Sequence, residues 1–200
     1  RELEGVHNRT NYDLTRHTEY SGKDLQYIDQ DNNNDRYIPF IIETSAGLTR
    51  TLLMLLCDAY DEEKVAGEKK ADGSEGTAGG AAGSADDWRT VLRFHPSVAP
   101  LTVAVLPLMK KDGLAELAAD IRAELKEDFA TDYDQSGAIG RRYRRQDEAG
   151  TPFCVTVDYQ SKEDGTVTLR YRDSMEQVRI PRSGLAEQIR RDIKDYRRIR

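Results

Sequence analysis

The sequence predicts an α/β protein in two parts, because strand-like and helix-like patterns alternate on both sides of a low-complexity segment. The first part, residues 1–61, contains two strand patterns followed by an apolar helix pattern. The second part, residues 91–200, has the order strand, helix, short strand, helix, strand, strand, helix, which is typical of a mixed sheet covered by helices. Residues 62–90 are expected to form a flexible linker, since "EEKVAGEKKADGSEGTAGGAAGSADD" offers little apolar area to offset the entropy of ordering.

Two strands and one covering helix are predicted in the first part. The segment "LEGVHNRTNYDL" alternates as a half-buried strand does, and "RYIPFIIET" has the apolar run of a more fully buried strand. The residues "QDNNND" between them indicate a turn or loop. From Leu48 to about Asp61 the pattern is helical and apolar almost all round, which predicts a helix buried behind a sheet.

The second part contains clear patterns for a buried strand and several packed elements. The run "LTVAVLPL" predicts a buried strand, and "GLAELAADIRAELKEDF" has apolar residues at helical spacing. The segments "TPFCVTVD" and "TVTLRYRD" predict two further strands, and Asp164-Gly165 between them is a hairpin turn signal. Ser183 is the predicted N-cap of a last helix.

Composition excludes several classes of protein. Charged residues make up 33% of the chain and the net charge is -6, which argues against non-specific coating of nucleic acid. No run of 18 apolar residues is present to span a membrane, and the first residues read as a cut into a longer chain and not as a signal peptide. Cys57 and Cys154 lie in apolar stretches and are expected to pack as small apolar residues, which fits a reducing cytoplasm. The three histidines lack the spacing of metal ligands.

The octapeptide "ETSAGLTR" joins the second strand to the apolar helix and is a candidate binding site. Small residues let a ligand approach the backbone, a helix N-terminus favours phosphate, and Arg50 adds a full positive charge in the first turn. Glu43, at the end of the strand, is suited to hold an ammonium group. The alternative is a strand-to-helix turn with a surface ion pair.

Two basic segments are candidate contacts for nucleic acid. In "GRRYRRQDE" four arginines surround Tyr143, which combines phosphate neutralisation with a stacking face for unpaired RNA bases. A solvated basic helix is the alternative for this segment. The terminal "RRDIKDYRRIR" is either a phosphate-binding segment or, as we expect, a frayed helix end.

Three stretches resemble one family of enzymes. The octapeptide "ETSAGLTR" resembles motif 3 of the class II aminoacyl-tRNA synthetases in the form that glycyl-tRNA synthetases carry, Glu-Pro-Ser-x-Gly-x-x-Arg. "ELEGVHNRTNYDLTRHTEYSGKDL" and "IGRRYRRQDEAGTPFCVTVD" are also similar to the bacterial, homodimeric type of that family. The resemblance runs from Arg1 to about Ile193. It implies part of the antiparallel catalytic sheet in residues 1–61 and an α/β anticodon-binding domain with a mixed sheet in residues 91–200.

The resemblance also implies roles for individual residues. The implied glycine-binding residues are Glu43, Thr44, Ser45, Ala46 and Gly47. The implied ATP-binding residues are Glu2, Leu3, Gly47, Leu48, Thr49 and Arg50, with Arg50 catalytic and Glu2 holding Mg²⁺ through ATP. The implied tRNA-binding residues are Arg141, Arg142, Tyr143, Arg144 and Arg145. Thr44 stands where the family has Pro, and the missing ring is expected to loosen the turn.

The implied reaction is ATP-dependent activation of glycine and its transfer to tRNA(Gly), whose anticodon the second part binds. Attack of the glycine carboxylate on the α-phosphate requires alignment and cations that disperse charge, with little need for a protein nucleophile. Motifs 1 and 2 of the family are absent from these 200 residues, so a C-terminal portion, inactive alone and homodimeric at full length, is expected. The competing hypotheses are a non-catalytic, synthetase-like accessory protein that binds nucleic acid and a bare α/β binding domain.

Overall fold

The computed structural model describes residues 2–64 and 88–197 of the chain. It divides into two compact units, Arg1–Met54 and Leu55–Arg200. Among the described residues, no helix has both the length and the apolar character that crossing a bilayer requires.

The first unit is built on a two-stranded antiparallel ladder. Strand β1, Glu4–Thr10, precedes helix α1, Tyr12–Ser21, and a short hairpin of β2, Tyr27–Asp29, and β3, Asp35–Tyr37. Strand β4, Ile41–Ala46, then pairs with β1. The predicted turn in "QDNNND" is confirmed, since these residues connect β2 to β3.

The strand predicted in "LEGVHNRTNYDL" is wrong in its second half. Strand β1 ends at Thr10, whose φ of 55° turns the chain, and α1 begins two residues later. Helix α1 ends at Gly22, whose φ of 69° lets its N–H bond to the Thr18 carbonyl oxygen. The alternating pattern of the sequence continues past Thr10. The predicted strand therefore included residues that form the start of α1.

Helix α2, Leu48–Ala59, follows β4 after the single residue Gly47. Its predicted burial behind a sheet is wrong for the described residues, where Ala59 is its one buried residue and Leu48 is 84% exposed. The expected burial of "RYIPFIIET" is also wrong, since β4 is half-buried at best. A ladder of two strands offers too little surface to cover an apolar helix.

The second unit opens with a separate two-stranded antiparallel sheet. Strand β5, Tyr60–Lys64, follows α2 directly and pairs with β6, Trp88–Leu92. The ends of the predicted linker, residues 62–90, therefore lie in strands. The rest of that prediction, residues 65–87, lies outside the described residues.

The core of the second unit is a five-stranded mixed sheet. Its strands are β7, Val103–Pro107; β8, Thr131–Tyr133; β9, Phe153–Val157; β10, Thr166–Tyr171; and β11, Gln177–Pro181. They lie in the order β11-β10-β9-β7-β8, with β7 parallel to both neighbours and β10 antiparallel to both of its own. The predicted mixed sheet is confirmed, and β11 is a strand that the sequence analysis missed.

Helices cover both faces of this sheet. Helix α3, Leu114–Leu125, and helix α6, Leu185–Lys194, pack on the face that carries Val103 and Val105. Helix α4, Ile139–Ala149, packs on the face that carries Ala104 and Leu106. Strands β7 and β9 are buried on both faces, which explains why their sequences are nearly continuous apolar runs.

Two local predictions in this unit need correction. The connection from β9 to β10 is a short helix, α5, Tyr159–Asp164, rather than a tight turn. Asp158 caps it by accepting the Ser161 N–H at 3.0 Å, and Gly165 ends it with a φ of 68°. Ser183 is not an N-cap, since a 3₁₀ turn, Arg182–Gly184, leads into α6.

The two cysteines differ from one another. Cys154 is buried in β9, and desolvation raises the pKa of its thiol to about 12, so the prediction that it packs as an apolar residue is confirmed. Cys57 is exposed on α2, so the same prediction is wrong there.

A buried ion-pair cluster ties the β5–β6 sheet to the large sheet. Asp147, on α4, has no exposed surface and accepts hydrogen bonds from Arg89 of β6 at 2.9 Å and from Arg170 of β10 at 2.8 and 3.0 Å. Both arginines are almost fully buried. One carboxylate thus joins three elements, and its charge offsets part of the cost of burying two guanidinium groups.

A second arginine pair extends this cluster. Arg172 donates to the Gly150 carbonyl oxygen at 2.8 Å and to the Phe94 carbonyl oxygen at 2.9 Å. Arg93 pairs with Asp61 of β5 at 2.9 Å and with Asp173 at 3.2 Å. The β5–β6 sheet is therefore held by charged contacts on both of its strands.

We expect Asp147→Asn to lower the free energy of unfolding of the second unit by about 3–5 kcal/mol, because Arg89 and Arg170 lose the one carboxylate that both contact. Urea unfolding, followed by circular dichroism and by the fluorescence of Trp88, measures this change. Glu148→Gln, at the next and exposed position, is the matched control and should change stability by less than about 0.5 kcal/mol. A midpoint for Asp147→Asn equal to that of the wild type would contradict the structural role.

Candidate functional site

The register of β1 and β4 puts two of the five predicted glycine-binding residues, Glu43 and Ser45, on one face, whereas Ala46 lies on the other face and Gly47 follows the strand. Glu43 lies opposite His7, and Ser45 lies opposite Gly5. Partners in an antiparallel ladder share a face, as do residues two apart in one strand. Glu43, Ser45, Gly5 and His7 therefore form one surface. Thr44 lies on the opposite face, so a ligand on the Glu43 face meets the main chain at this position and not the Thr44 side chain.

Arg9 is a residue of this site that the sequence analysis missed. Its Nε lies 3.4 Å from Glu43 Oε2, and the same guanidinium donates to Asp13 at 2.8 and 2.9 Å. The hydrogen bond and the charge of Asp13, followed by the charge of Glu43, raise the pKa of Arg9. A fixed cation thus stands beside the Glu43 carboxylate. Arg9 lies at the bulge between Asn8 and Thr10, where the register of the ladder shifts, so the alternation of the sequence alone does not indicate its contact with Glu43.

The second charged group of the motif lies at the other end of β1. Arg50, in the first turn of α2, donates a hydrogen bond to the Glu2 carbonyl oxygen. The structure therefore brings together two predicted ATP-binding residues that are 48 positions apart. Glu2 and His7, the partner of Glu43, are five positions apart, which is roughly 17 Å along a strand.

The acid and the base of "ETSAGLTR" do not neutralise each other. Glu43 pairs with Arg9, and Arg50 bonds to the main chain at Glu2. Both side chains are partly or fully exposed. The alternative for this motif was a surface ion pair between its acid and its base. Among the described residues, Glu43 and Arg50 do not form that pair.

The described residues contain no group of three or more His, Cys, Asp or Glu side chains placed to hold a metal ion. Among the described residues of the second unit, cavities of about 550 and 120 Å³ are formed, and the arginines of α4 line neither of these.

Helix α4 contains all five predicted RNA-binding residues, but it buries two of them. Arg142 is 3% exposed, and its guanidinium donates to the carbonyl oxygens of Pro107, Leu108 and Asp134. Desolvation lowers the pKa of Arg142. This arginine fastens α4 to the carboxyl ends of β7 and β8 and does not face solvent.

Tyr143 is the second buried residue. Its hydroxyl lies 2.6 Å from Thr156 Oγ1, and the Arg170 guanidinium covers its ring at 4.7 Å from the centroid. One face of the ring is therefore covered, and Tyr143 is 8% exposed, so its ring offers no surface on which a base could stack. Tyr143 was predicted to lie on an RNA-binding surface. Its position in a helix does not by itself reveal which face of that helix is buried.

The other three arginines point outward. Arg141 is exposed, and Arg144 is partly exposed with its guanidinium 4.0 Å from Asp147. Arg145 is 46% exposed and holds the turn after β8 through Asp134 and the Ser136 carbonyl oxygen at 2.7 Å. The solvent face of α4 is therefore basic.

The terminal segment is anchored as far as Tyr196, which departs from the expected frayed end. The Tyr196 hydroxyl donates to Asp173 at 2.8 Å, and its ring packs edge-on against His95 at 5.0 Å between centroids. Arg190 in α6 pairs with Asp128. The remaining residues, 198–200, lie outside the described part of the chain.

Sequence comparison relates both units of the chain to known proteins. Residues 102–192 match the family model described as an anticodon binding domain. A glycine-tRNA ligase of Treponema denticola is 74% identical over 198 residues, which is 99% of this chain and 41% of that protein. One from Treponema pallidum is 60% identical over 204 residues, covering 99% of this chain and 44% of that protein.

Among solved structures, a prolyl-tRNA synthetase from Cryptosporidium parvum, complexed with halofuginone and AMPPNP, has a TM-score of 0.48 and 22% identity. The match covers 52% of this chain and 22% of that one.

The curated relatives match this chain almost from end to end, and the chain spans about two fifths of their length. The match takes in both the β1–β4 ladder and the domain that holds α4. The chain is therefore homologous, along almost its whole length, to part of the glycine-tRNA ligases.

Proposed function

We propose that the chain is a segment of a glycine-tRNA ligase that activates glycine with ATP and transfers it to tRNA(Gly). The observation that supports this most directly is the pairing of opposite charges along one face of the β1–β4 ladder, in a chain 74% identical to a named glycine-tRNA ligase. In this proposal the first unit supplies part of the glycine and ATP sites, and the second unit binds the anticodon.

The Glu43 and Arg9 pair suits a zwitterion. Glu43 attracts the ammonium group of glycine, and Arg9, 3.4 Å away, offers a cation for the carboxylate. Ser45 adds a hydroxyl on the same face. Because glycine has no side chain, these end groups are what a protein can bind, and a small pocket must exclude other amino acids.

The Arg50 and Glu2 end of β1 suits the nucleotide. Arg50 lies in the first turn of α2, where backbone N–H groups and the helix dipole also favour phosphate. Leu3, Gly47, Leu48 and Thr49 line the same end of the ladder. Glu2 is an exposed carboxylate that would share Mg²⁺ with the ATP phosphates, where the ion neutralises developing charge. Alignment of the two reactants is the main task of these residues.

In the second unit, the outward face of α4 is the proposed contact for the anticodon. Arg142 fixes the start of α4 beside the carboxyl ends of β7 and β8, the edge where open α/β sheets bind ligands. Arg141, Arg144 and Arg145 then present positive charge to RNA. Arg142 and Tyr143 act in this proposal by holding the helix, because both are buried.

The proposal extends to two properties of the whole protein. The resemblance to the homodimeric type implies a homodimer at full length, and protein synthesis places the enzyme in the cytoplasm. Size measurement of the full-length protein in solution tests the first.

In the full-length protein, Glu43→Ala and Arg50→Ala should each lower kcat/KM for glycine-dependent ATP-pyrophosphate exchange. Loss of a hydrogen bond to a charged group costs about 1.5–3 kcal/mol, or roughly 10- to 150-fold. The Glu43 change should raise KM for glycine, and the Arg50 change KM for ATP. Glu4→Ala, an exposed acid on the opposite face of β1, and Arg16→Ala, an exposed base on α1, are the controls. Wild-type kinetics in both site variants would contradict the site.

We expect Arg141→Ala and Arg144→Ala to raise KM for tRNA while glycine activation stays unchanged, because these side chains lie in the second unit. An arginine that contacts a base contributes about 1–3 kcal/mol. Arg190→Ala, an exposed arginine on α6, is the control. If tRNA charging by both α4 variants matches the control, the RNA contact lies elsewhere.

The 200-residue chain by itself should show no glycine-dependent ATP-pyrophosphate exchange, because it spans about two fifths of the length of its relatives. It should still bind tRNA, with an affinity that falls as salt rises. Exchange above background would contradict this expectation. Binding of tRNA by a full-length protein that never activates glycine would favour the non-catalytic accessory protein.

A further inference from the structure

His7 lies on the Glu43 face of the ladder, and the proposed reaction gives its side chain no role. It lies opposite Glu43 in the ladder and two residues from Gly5 on the same strand. Both neighbours share its face, since side chains alternate along a strand. The imidazole is therefore placed within the proposed glycine site and not behind it.

The imidazole ring lies directly over Gly5. A β-carbon built on Gly5 would clash with His7 Nε2 and would come within 3.1 and 3.2 Å of Cε1 and Cδ2 of the same ring. Gly5 is buried although its neighbours in β1 are exposed. The ring fills the space that any side chain at position 5 would take, so glycine at position 5 is a condition for this ring position.

This position is next to Ser45, the cross-strand partner of Gly5. An amino acid bound through Glu43 and Ser45 would lie over the part of β1 that runs from Gly5 to His7, because the four residues are mutual neighbours on one surface. A side chain on that amino acid would project toward the ring. Glycine, which has none, would not.

We propose that the His7 imidazole is a specificity-determining residue that fills the space where a side chain larger than hydrogen would extend, and so favours glycine over L-alanine. The inference rests on the proposed glycine site and adds the means of exclusion to it. A pocket with room for one more methyl group gains roughly 10- to 200-fold in favour of the larger amino acid, and a ring that fills this space removes that gain for L-alanine.

The test measures ATP-pyrophosphate exchange by the full-length protein with glycine and with L-alanine. For His7→Ala, the ratio of kcat/KM for L-alanine to that for glycine should rise about tenfold or more. His7→Phe places a ring of similar size at the same position and should restore the wild-type ratio. Glu4→Ala, on the opposite face of β1, is the control and should not change it.

A double-mutant cycle tests the ring position separately. Gly5→Ala should lower kcat/KM for glycine in the wild-type background, because the new β-carbon displaces the ring. The same change should cost less in the His7→Ala background, where no ring is present, and this non-additivity measures the contact. Additive effects would overturn the placement of the ring over Gly5.

The outcomes separate the two proposals. If the wild-type protein does not activate glycine, the proposed function fails and the inference fails with it. If it activates glycine but His7→Ala leaves the alanine-to-glycine ratio within about twofold of wild type, the exclusion role alone is overturned. A ratio for His7→Phe as high as that for His7→Ala would also overturn it, because ring volume would then not be the cause.

Discussion

The carboxylate of Asp147 is the interaction on which the second unit depends. It lies inside the protein with no exposed surface and is shared by Arg89 and Arg170, which come from different sheets. Burying two guanidinium groups is costly unless each has a partner of opposite charge. Since Asp147 is on α4, the same carboxylate fixes the helix that presents the outward arginines. Structural and functional requirements therefore meet in one helix, with its buried face holding the sheets together and its exposed face remaining basic.

Much of the second unit could be predicted from its sequence because its signals are long and periodic. Strands β7 and β9 are continuous apolar runs, and α3 repeats buried residues at spacings of four, three and four. The elements that were not predicted are short, and their sequence patterns overlap with patterns that indicate turns. Helix α5 has six residues, and its Asp164-Gly165 pair is also a hairpin signal. Helix α2 was predicted to be buried because it is rich in apolar residues. Apolar content indicates that a helix packs best against another surface, but it does not tell whether the described residues provide one.

The candidate site likewise contains some residues that the sequence could indicate and others that it could not. Glu43, Ser45 and Arg50 could be proposed together because they lie within the eight consecutive residues that resemble one family motif. Arg9 and His7 come from a distant stretch and join the site only through the register of the ladder, which a single sequence does not reveal. Arg142 shows the opposite failure. A run of arginines is read as solvent-exposed, yet this one is buried because three main-chain carbonyl groups accept its hydrogen bonds.

The pairing of β5 with β6 bears on changes in the number of residues between these two strands. Lys64 and Trp88 are direct partners in the ladder, so the end of β5 and the start of β6 lie at neighbouring positions, with Cα atoms about 5 Å apart. The entropy of closing a loop grows only slowly with the number of residues in it. A change in the number of residues between Lys64 and Trp88 would therefore leave the distance between these two ends unchanged and should add little to the free energy needed to pair the strands.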